Sequence, residues 1–397
     1  MISPRTAKKI ILGSAPRRAV TKVSLEAAFM RVSARDVRAR VDGPEFDRAT
    51  MDGFAIRSSD TAVIPAVLKC TQAIPAGHIP KKSLKKGECA KVATGAMLPG
   101  GADSVVMKEE AEFLLSGPVT LRRRIAPYEN IAFRAQDLKK GGIVLRKGDI
   151  LNAAKIGLLS SQGAKDVAVY RAPRVAILST GDEIAEPGEK KKKGQVWNAS
   201  ASMLKFAVRR WRLAPDYLGI ARDDPGQIFK KIRQGLKSDI FIITGAVSIG
   251  DLDLVPGALK RSGAAVGFHK VAIRPGKPLL FAVKRGCLIF GLPGNPVSSL
   301  VSFLLFVAPL INSMLGYRKG DLIEKGFLAK GVYNKSDRLS LFPGILKYKG
   351  GRIIVRPVKY SGSADLAAVS GADVLFMVDK HKDLSKGSAV EFFRISV

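Results

Sequence analysis

The chain has 397 residues, with 66 Lys and Arg against 34 Asp and Glu, a formal net charge of +32. Hydrophobic content of 46% with 25% charged residues is globular composition, which excludes global disorder and leaves room for several buried cores. Cys70, Cys89 and Cys287 show no metal or CxxC spacing, and His78, His269 and His381 lie far apart, which argues against a cysteine or histidine metal centre and suits a reducing, cytoplasmic setting.

The first 25 residues lack acids and hold several Lys and Arg, a composition that transit peptides share, but no apolar h-region marks a signal peptide. Over 21–37, Val23, Ala27, Met30 and Val37 recur at helical spacing behind a Ser24 cap, which predicts a helix. From about 42 to 135 short β-type runs alternate with Gly and Pro, as in a compact β-rich domain. A helix over 152–163 follows, stopped by Gly163. Strands at 174–180, 214–220 and 239–244 then alternate with helices at 200–211, 224–236 and 255–263, with Asp224 capping the second helix. Two more strands, "KPLLFAV" and "CLIFGLP", precede a closing helix. Alternation of this kind predicts a doubly wound parallel sheet. The apolar run "SLVSFLLFVAPLI" (299–311) is shorter than the ~20 residues of a membrane crossing and holds Pro309, which predicts a buried helix. From about 322 the texture is β again.

The expected architecture is multidomain α/β plus β. A helical or linker domain spans 1–44 and 132–170, a β-rich insertion 45–131, a central doubly wound α/β domain 171–320, and a barrel-like β domain 321–397.

Ligands bind such sheets at the carboxyl ends of the strands. Four loops here sit at such ends: "STGDEI", "ARDDPG", "TGAVSIGDLD" and "FGLPGNPVSS". Gly245, Ser248 and Gly250 suit a close approach of backbone N–H groups to phosphate. Glu183, Asp223 and Asp253 gather at the same edge, and carboxylates beside phosphates suit Mg²⁺. Lys270, Arg274 and Lys277, stiffened by Pro275 and Pro278, suit an oxyanion. The charge as a whole points to polyanions. Yet aromatics are only 7% and basic residues are spread along the chain, which argues against specific nucleic-acid binding, and Lys190 to Lys193 read as a solvated loop.

Taken together, "FDRATMDGFAIR", "IPAGHIP", "ATGAMLPGGADSVVMKEE", "LSTGDEI", "TGAVSIGDLD", "RPGKP" and "GLPGNPVSS" resemble the molybdopterin molybdenumtransferases, the MoeA and gephyrin E-domain relatives, in order from about residue 21 to 397. The resemblance implies four domains, a homodimer, and insertion of molybdate into adenylated molybdopterin with Mg²⁺ and release of AMP. It implies catalytic roles for Asp137, Glu183, Asp223 and Asp253, the last three as metal ligands. Ligand contacts are implied for Asp52, Thr94, Thr180, Gly181, Gly245, Ser248, Gly250, Lys270, Arg274, Lys277, Pro278, Asn295 and Ser298. Molybdoenzymes or an adenylyltransferase are partners in this picture, and no membrane is.

The sequence departs from the family pattern at Ala49, Ala135, Gln136, Ala246 and Arg274, and a family arginine aligns loosely at Pro343. Two readings stay open. One is an active transferase with drifted loops, favoured by the retained acids and Lys277. The other is a catalytically impaired relative that binds molybdopterin as carrier, scaffold or regulator, favoured by the altered glycines.

Overall fold

A computed structural model describes residues 1–17, 19–113, 117–245, 254–317 and 323–395. They form two compact units: Met1–Val23, Met30–Ala34 and Ala168–Val397 make one, and Ser24–Phe29 with Arg35–Val167 make the other.

The first unit contains a six-stranded sheet built from β1 (Val175–Thr180), β2 (Asp216–Ala221), β3 (Ile240–Thr244), β4 (Ala265–His269), β5 (Leu280–Lys284) and β6 (Cys287–Leu292), in the order β2-β1-β3-β6-β5-β4. The first four strands of that order are parallel, with Val175 beside Ile240 and Ile240 beside Leu288. Their side chains alternate between two cores. Ile240 and Ile242 enter one and Phe241 and Ile243 the other, so both faces are covered and the strands read as continuous apolar runs.

The all-parallel expectation needs correction, because β5 and β4 run antiparallel to their neighbours. The two-residue turn Arg285-Gly286, at φ +46° and +85°, has the positive φ pair that closes a tight hairpin between β5 and β6. That hairpin returns the start of β5 to the carboxyl edge of β6, with Leu280 opposite Gly291.

The N-terminal segment is a core element. Helix α1 (Pro4–Gly13) is capped by Ser3, and its Ala7 and Ile11 are fully buried in the core on one face of the sheet. The helix expected over 21–37 is only one turn, Leu25–Ala28, behind a strand Val20–Ser24. β-Branched Thr21 and Val23 favour extension, and Met30 at φ +61° stops the turn. The expected short apolar helix is in fact a continuous 20-residue one over Pro296–Leu315, long and apolar enough to cross a membrane, but 89% of its apolar window is buried inside the protein's own core. Its turns widen to π form over Phe303–Val307, just ahead of Pro309, which offers no N–H.

The chain continues into a closed five-stranded barrel: β7 (Glu324–Leu328), β8 (Leu339–Lys349), β9 (Arg352–Pro357), β10 (Val374–Val378) and β11 (Ala389–Arg394). Their order is β8-β9-β7-β11-β10, and β8 pairs again with β10, so closure leaves no free edge. A two-residue strand, Ile273–Arg274, pairs with the start of β8, Arg274 beside Ser340. The basic loop between β4 and β5 is thereby pinned to the barrel.

The second unit is built on its own six-stranded sheet, which runs Ser104–Met107, Gly53–Ile56, Glu88–Val92, Ala66–Ile74, Val119–Leu121, Ala111–Phe113. Its helix Ala153–Ser161 is capped by Asn152 and followed by Gly163 at φ +66°.

Candidate active site

The loops after β1 and β2 clasp each other. The Asp182 N–H donates to the Asp223 carboxylate and the Asp223 N–H to the Asp182 carboxylate, both at 3.3 Å. The Arg222 guanidinium donates to the carbonyls of Ile184 at 2.8 Å and Asp182 at 3.3 Å, and the Val196 N–H donates to the Glu183 carbonyl at 2.7 Å. Gly181 sits at φ +132°, and a Cβ there would lie 2.3 Å from a Glu183 carboxylate oxygen, so Glu183 folds back over bare backbone. Both Glu183 and Asp223 remain exposed on this rigid frame.

Gly245 ends β3 at φ +87°, where a Cβ would meet the Thr180 carbonyl oxygen at 2.5 Å. No side chain fits there, and the backbone conformation independently favours glycine. Thr180 itself is fully buried, its hydroxyl donating to the Thr244 carbonyl at 3.1 Å, so its side chain braces the neighbouring strand. Asp224 caps the helix Pro225–Gly235, accepting from the Gln227 N–H at 2.7 Å. Ala246, Ser248, Gly250, Asp251 and Asp253 lie outside the described residues.

Further along the same edge lies a cleft of about 870 Å³, between the loop that precedes β5, the loop after β6 and the barrel. Arg274, Lys277, Lys335 and Arg338 supply its cations. Pro278, Asn295 and Ser298 also line it, whereas Lys270 is not among the lining residues. Asn295 opens the 20-residue helix without capping it and donates instead to the Ser363 hydroxyl at 3.1 Å. The first N–H groups of that helix are therefore not capped by the Asn295 side chain, and a helix N-terminus favours anions. The cleft's carboxylate, Asp365, accepts from the Ser361 N–H and hydroxyl and from the Ala368 N–H, at 2.7–3.0 Å. Those bonds hold its carboxyl below the usual carboxylate range and keep it ionised within its own loop.

Arg338, Lys335, Ser361 and Ser363 were not singled out in the sequence. They sit on barrel loops, where the strand-end rule for α/β sheets is silent. Position 343, where a family arginine aligns loosely, is buried within β8, while Arg338 lines the cleft and donates to the Ile273 carbonyl at 3.2 Å. Buried Asn334 holds that loop in place, its amide donating to the carbonyls of Arg338, Val378 and Asp379 at 2.9–3.0 Å.

Asp52, Thr94 and Asp137 belong to the β-rich unit. The Thr94 N–H and hydroxyl both donate to one Asp52 oxygen, at 2.7 and 2.8 Å, and Lys108 stands 3.8 Å from the other. Thr94's bonds, and then the Lys108 charge, hold the Asp52 carboxyl below its usual range. Asp137 is exposed next to the turn Phe133–Gln136, in which Ala135 adopts φ +61°, a conformation that suits the glycine usual in the resembled family.

Comparison with known proteins covers the whole chain. The families described as "MoeA N-terminal region (domain I and II)", "Probable molybdopterin binding domain" and "MoeA C-terminal region (domain IV)" match residues 2–163, 176–313 and 325–395. A Bacillus subtilis (strain 168) protein named molybdopterin molybdenumtransferase is 32% identical over 365 residues, 90% of this chain and 85% of that one. A Nostoc protein of the same name is 36% identical over 312 residues, 75% of this chain and 70% of its own. The solved structure of a molybdopterin biosynthesis MoeA protein from Pyrococcus horikosii superposes with a TM-score of 0.85 at 31% identity, covering 100% of both chains.

Proposed function

The chain belongs to the MoeA family of molybdopterin molybdenumtransferases and is a transferase of molybdenum cofactor biosynthesis; we propose that its cation-lined cleft takes molybdate and that the neighbouring acids and glycines take adenylated molybdopterin. The single observation that carries this reading is the sorting of charge along one sheet edge, with Arg274, Lys277, Lys335 and Arg338 in the cleft and Glu183 and Asp223 on the loops of β1 and β2.

The two arginines offer planar donor forks to a tetrahedral oxyanion, and Lys277 and Lys335 add point charges. Ser298 and Asn295, at the helix N-terminus, orient the bound oxyanion. The phosphates of the nucleotide run past Gly181 and Gly245, where no Cβ intrudes. Lys270 stays in the proposal as a cation outside the cleft that draws anions toward the edge. Ser248, Gly250 and Asp253 complete the phosphate loop in this reading.

The donor set fits Mg²⁺: two exposed carboxylates on adjacent loops, Glu183 and Asp223, match an ion that takes one or two carboxylates and fills its shell with water and substrate phosphate, and Asp253 is kept as a further candidate ligand from the sequence. When bound, Mg²⁺ would neutralise charge on the phosphoanhydride. The chain's own contribution is positioning. It holds molybdate beside the anhydride in a fixed orientation, which lowers the entropic part of the barrier to AMP release. The dithiolene sulfurs that receive molybdenum belong to the substrate. Asp52, Thr94 and Asp137 are further ligand-contacting candidates of the β-rich unit, with Asp137 catalytic. A homodimer in the cytoplasm, handing cofactor to molybdoenzymes or receiving substrate from an adenylyltransferase, completes the reading.

The test is AMP release from adenylated molybdopterin by the purified chain with Mg²⁺, with and without molybdate. Release that depends on molybdate and yields active cofactor supports the reading. Tight nucleotide binding without release, at any molybdate concentration, overturns it in favour of a carrier.

A further inference from the structure

The amino edge of the same sheet carries a second concentration of positive charge. The segment Arg171 to Arg174 leads into β1, Lys237 to Asp239 into β3, and the turn at Arg285 into β6. Those three strands are adjacent, so their approach segments converge. Together with Pro16, Arg17 and Ala19 they line a pocket of about 310 Å³.

Arg17, Arg171, Arg174, Lys237 and Arg285 face this pocket with Asp239 as its carboxylate. Asp239 is already engaged: it accepts both Arg171 guanidinium bonds, at 3.0 and 2.9 Å, and the Arg174 N–H at 2.7 Å. Its side chain is only 16% exposed, so it serves as an anchor that fixes the two arginines. Among the described residues Arg17, Lys237 and Arg285 make no ion pair, and all three are exposed. The C-terminus of the helix Pro225–Gly235 faces the same edge, but its dipole amounts to about half a charge. One carboxylate and one helix end leave most of the positive charge unbalanced.

Arg285 adds a second argument. It holds φ +46° in a tight turn, where Asn, Asp or Gly sit at less strain. Its side chain is exposed and lines the pocket, and backbone held in this conformation collects at functional positions.

We propose that this pocket is a second anion site that binds a phosphate dianion, either free or as the end of a small phosphomonoester. Its volume lies at the small end of ligand pockets, which leaves room for a phosphate group with a small organic remainder. The site stands apart from the carboxyl-edge cleft and does not depend on the reaction proposed there.

The test is calorimetric titration of the full chain with inorganic phosphate, and with glycerol 3-phosphate as the monoester, at constant ionic strength. Arg274→Ala with Arg338→Ala is used as the background so that anion binding at the carboxyl-edge cleft is strongly weakened. In that background, Lys237→Ala with Arg285→Asn raises the phosphate dissociation constant at least tenfold. Asn is chosen because it tolerates the turn, and an unchanged melting temperature confirms folding. A charge-matched control, Lys347→Ala with Lys349→Ala on the barrel, stays within twofold. Tighter binding of the monoester identifies it as the ligand source, and equal or weaker binding identifies free phosphate. The proposal is overturned by equal weakening in both double variants, by no phosphate binding in the background, or by an oligonucleotide that binds there without competition from phosphate.

Discussion

The two halves of the carboxyl edge are built in opposite ways. The acidic half, after β1 and β2, is local: Asp182, Asp223 and Arg222 lock two neighbouring loops through backbone bonds, and Gly181 and Gly245 leave no room for side chains. The cationic half is assembled from distant pieces. Arg274 and Lys277 come from the loop before β5, and Lys335 and Arg338 from the barrel, joined by the short pairing of Ile273–Arg274 with β8. Local bonding holds the acids at low cost in chain order, whereas the cations depend on a second folded body. The halves should therefore fail differently.

The largest effect is expected where the cations are removed. Arg274→Ala with Arg338→Ala should weaken molybdate binding by about a hundredfold, about 2.7 kcal/mol, by calorimetry. Asp223→Asn should leave that affinity within twofold while lowering Mg²⁺-dependent AMP release by about a hundredfold. Equal losses in both assays from either change would erase the distinction between the halves. Next in size is Gly245→Ala. The clash with Thr180 and the positive φ should destabilise the first unit by about 2 kcal/mol in urea unfolding. A neutral result would show that the acidic half is less tightly locked than its geometry indicates.

A smaller and opposite change is expected outside the edge. Ala135→Gly should stabilise the β-rich unit by about 1 kcal/mol, because Ala135 holds a left-handed conformation at φ +61°. Unchanged or lower stability would remove the strain argument for this drifted position. The smallest effect concerns Asp365. Its folded pKa is depressed by bonds from Ser361 and Ala368, so its contribution to stability is present above the unfolded value near 4 and is lost as pH falls through the folded value. Asp365→Asn should flatten the acid melting of the cleft loop below about pH 4 and lower its stability slightly at neutral pH, where the ionised carboxylate contributes.

The same contrast explains what could be read from sequence. Glu183, Asp223, Gly181 and Gly245 each follow an apolar strand within a few residues, and parallel strands put those ends together. Period and turn chemistry sufficed there. The cationic half was half legible. Arg274 and Lys277 stood out beside their prolines, but Arg338, Lys335 and Ser363 reach the cleft only through barrel closure and the pairing of Arg274 with Ser340. β5 was legible as an apolar run, but such a run carries no mark of direction, whereas β4, interrupted by Gly267 and mostly exposed, was not read as a strand. The helix read over 21–37 failed because helical spacing of apolar residues occurs by chance across a strand, one turn and a left-handed Met30. At the N-terminus, charge composition masked an amphipathic helix whose Ala7 and Ile11 complete a core.

Molybdate binding measured by calorimetry in Arg338→Ala, beside wild type and Asp223→Asn, tests the sorting of charge most directly. Arg338 was absent from the motifs and owes its place in the cleft to the fold. The account predicts at least tenfold weaker binding in Arg338→Ala and unchanged binding in Asp223→Asn. Wild-type affinity in Arg338→Ala, or an equal loss in Asp223→Asn, would contradict it.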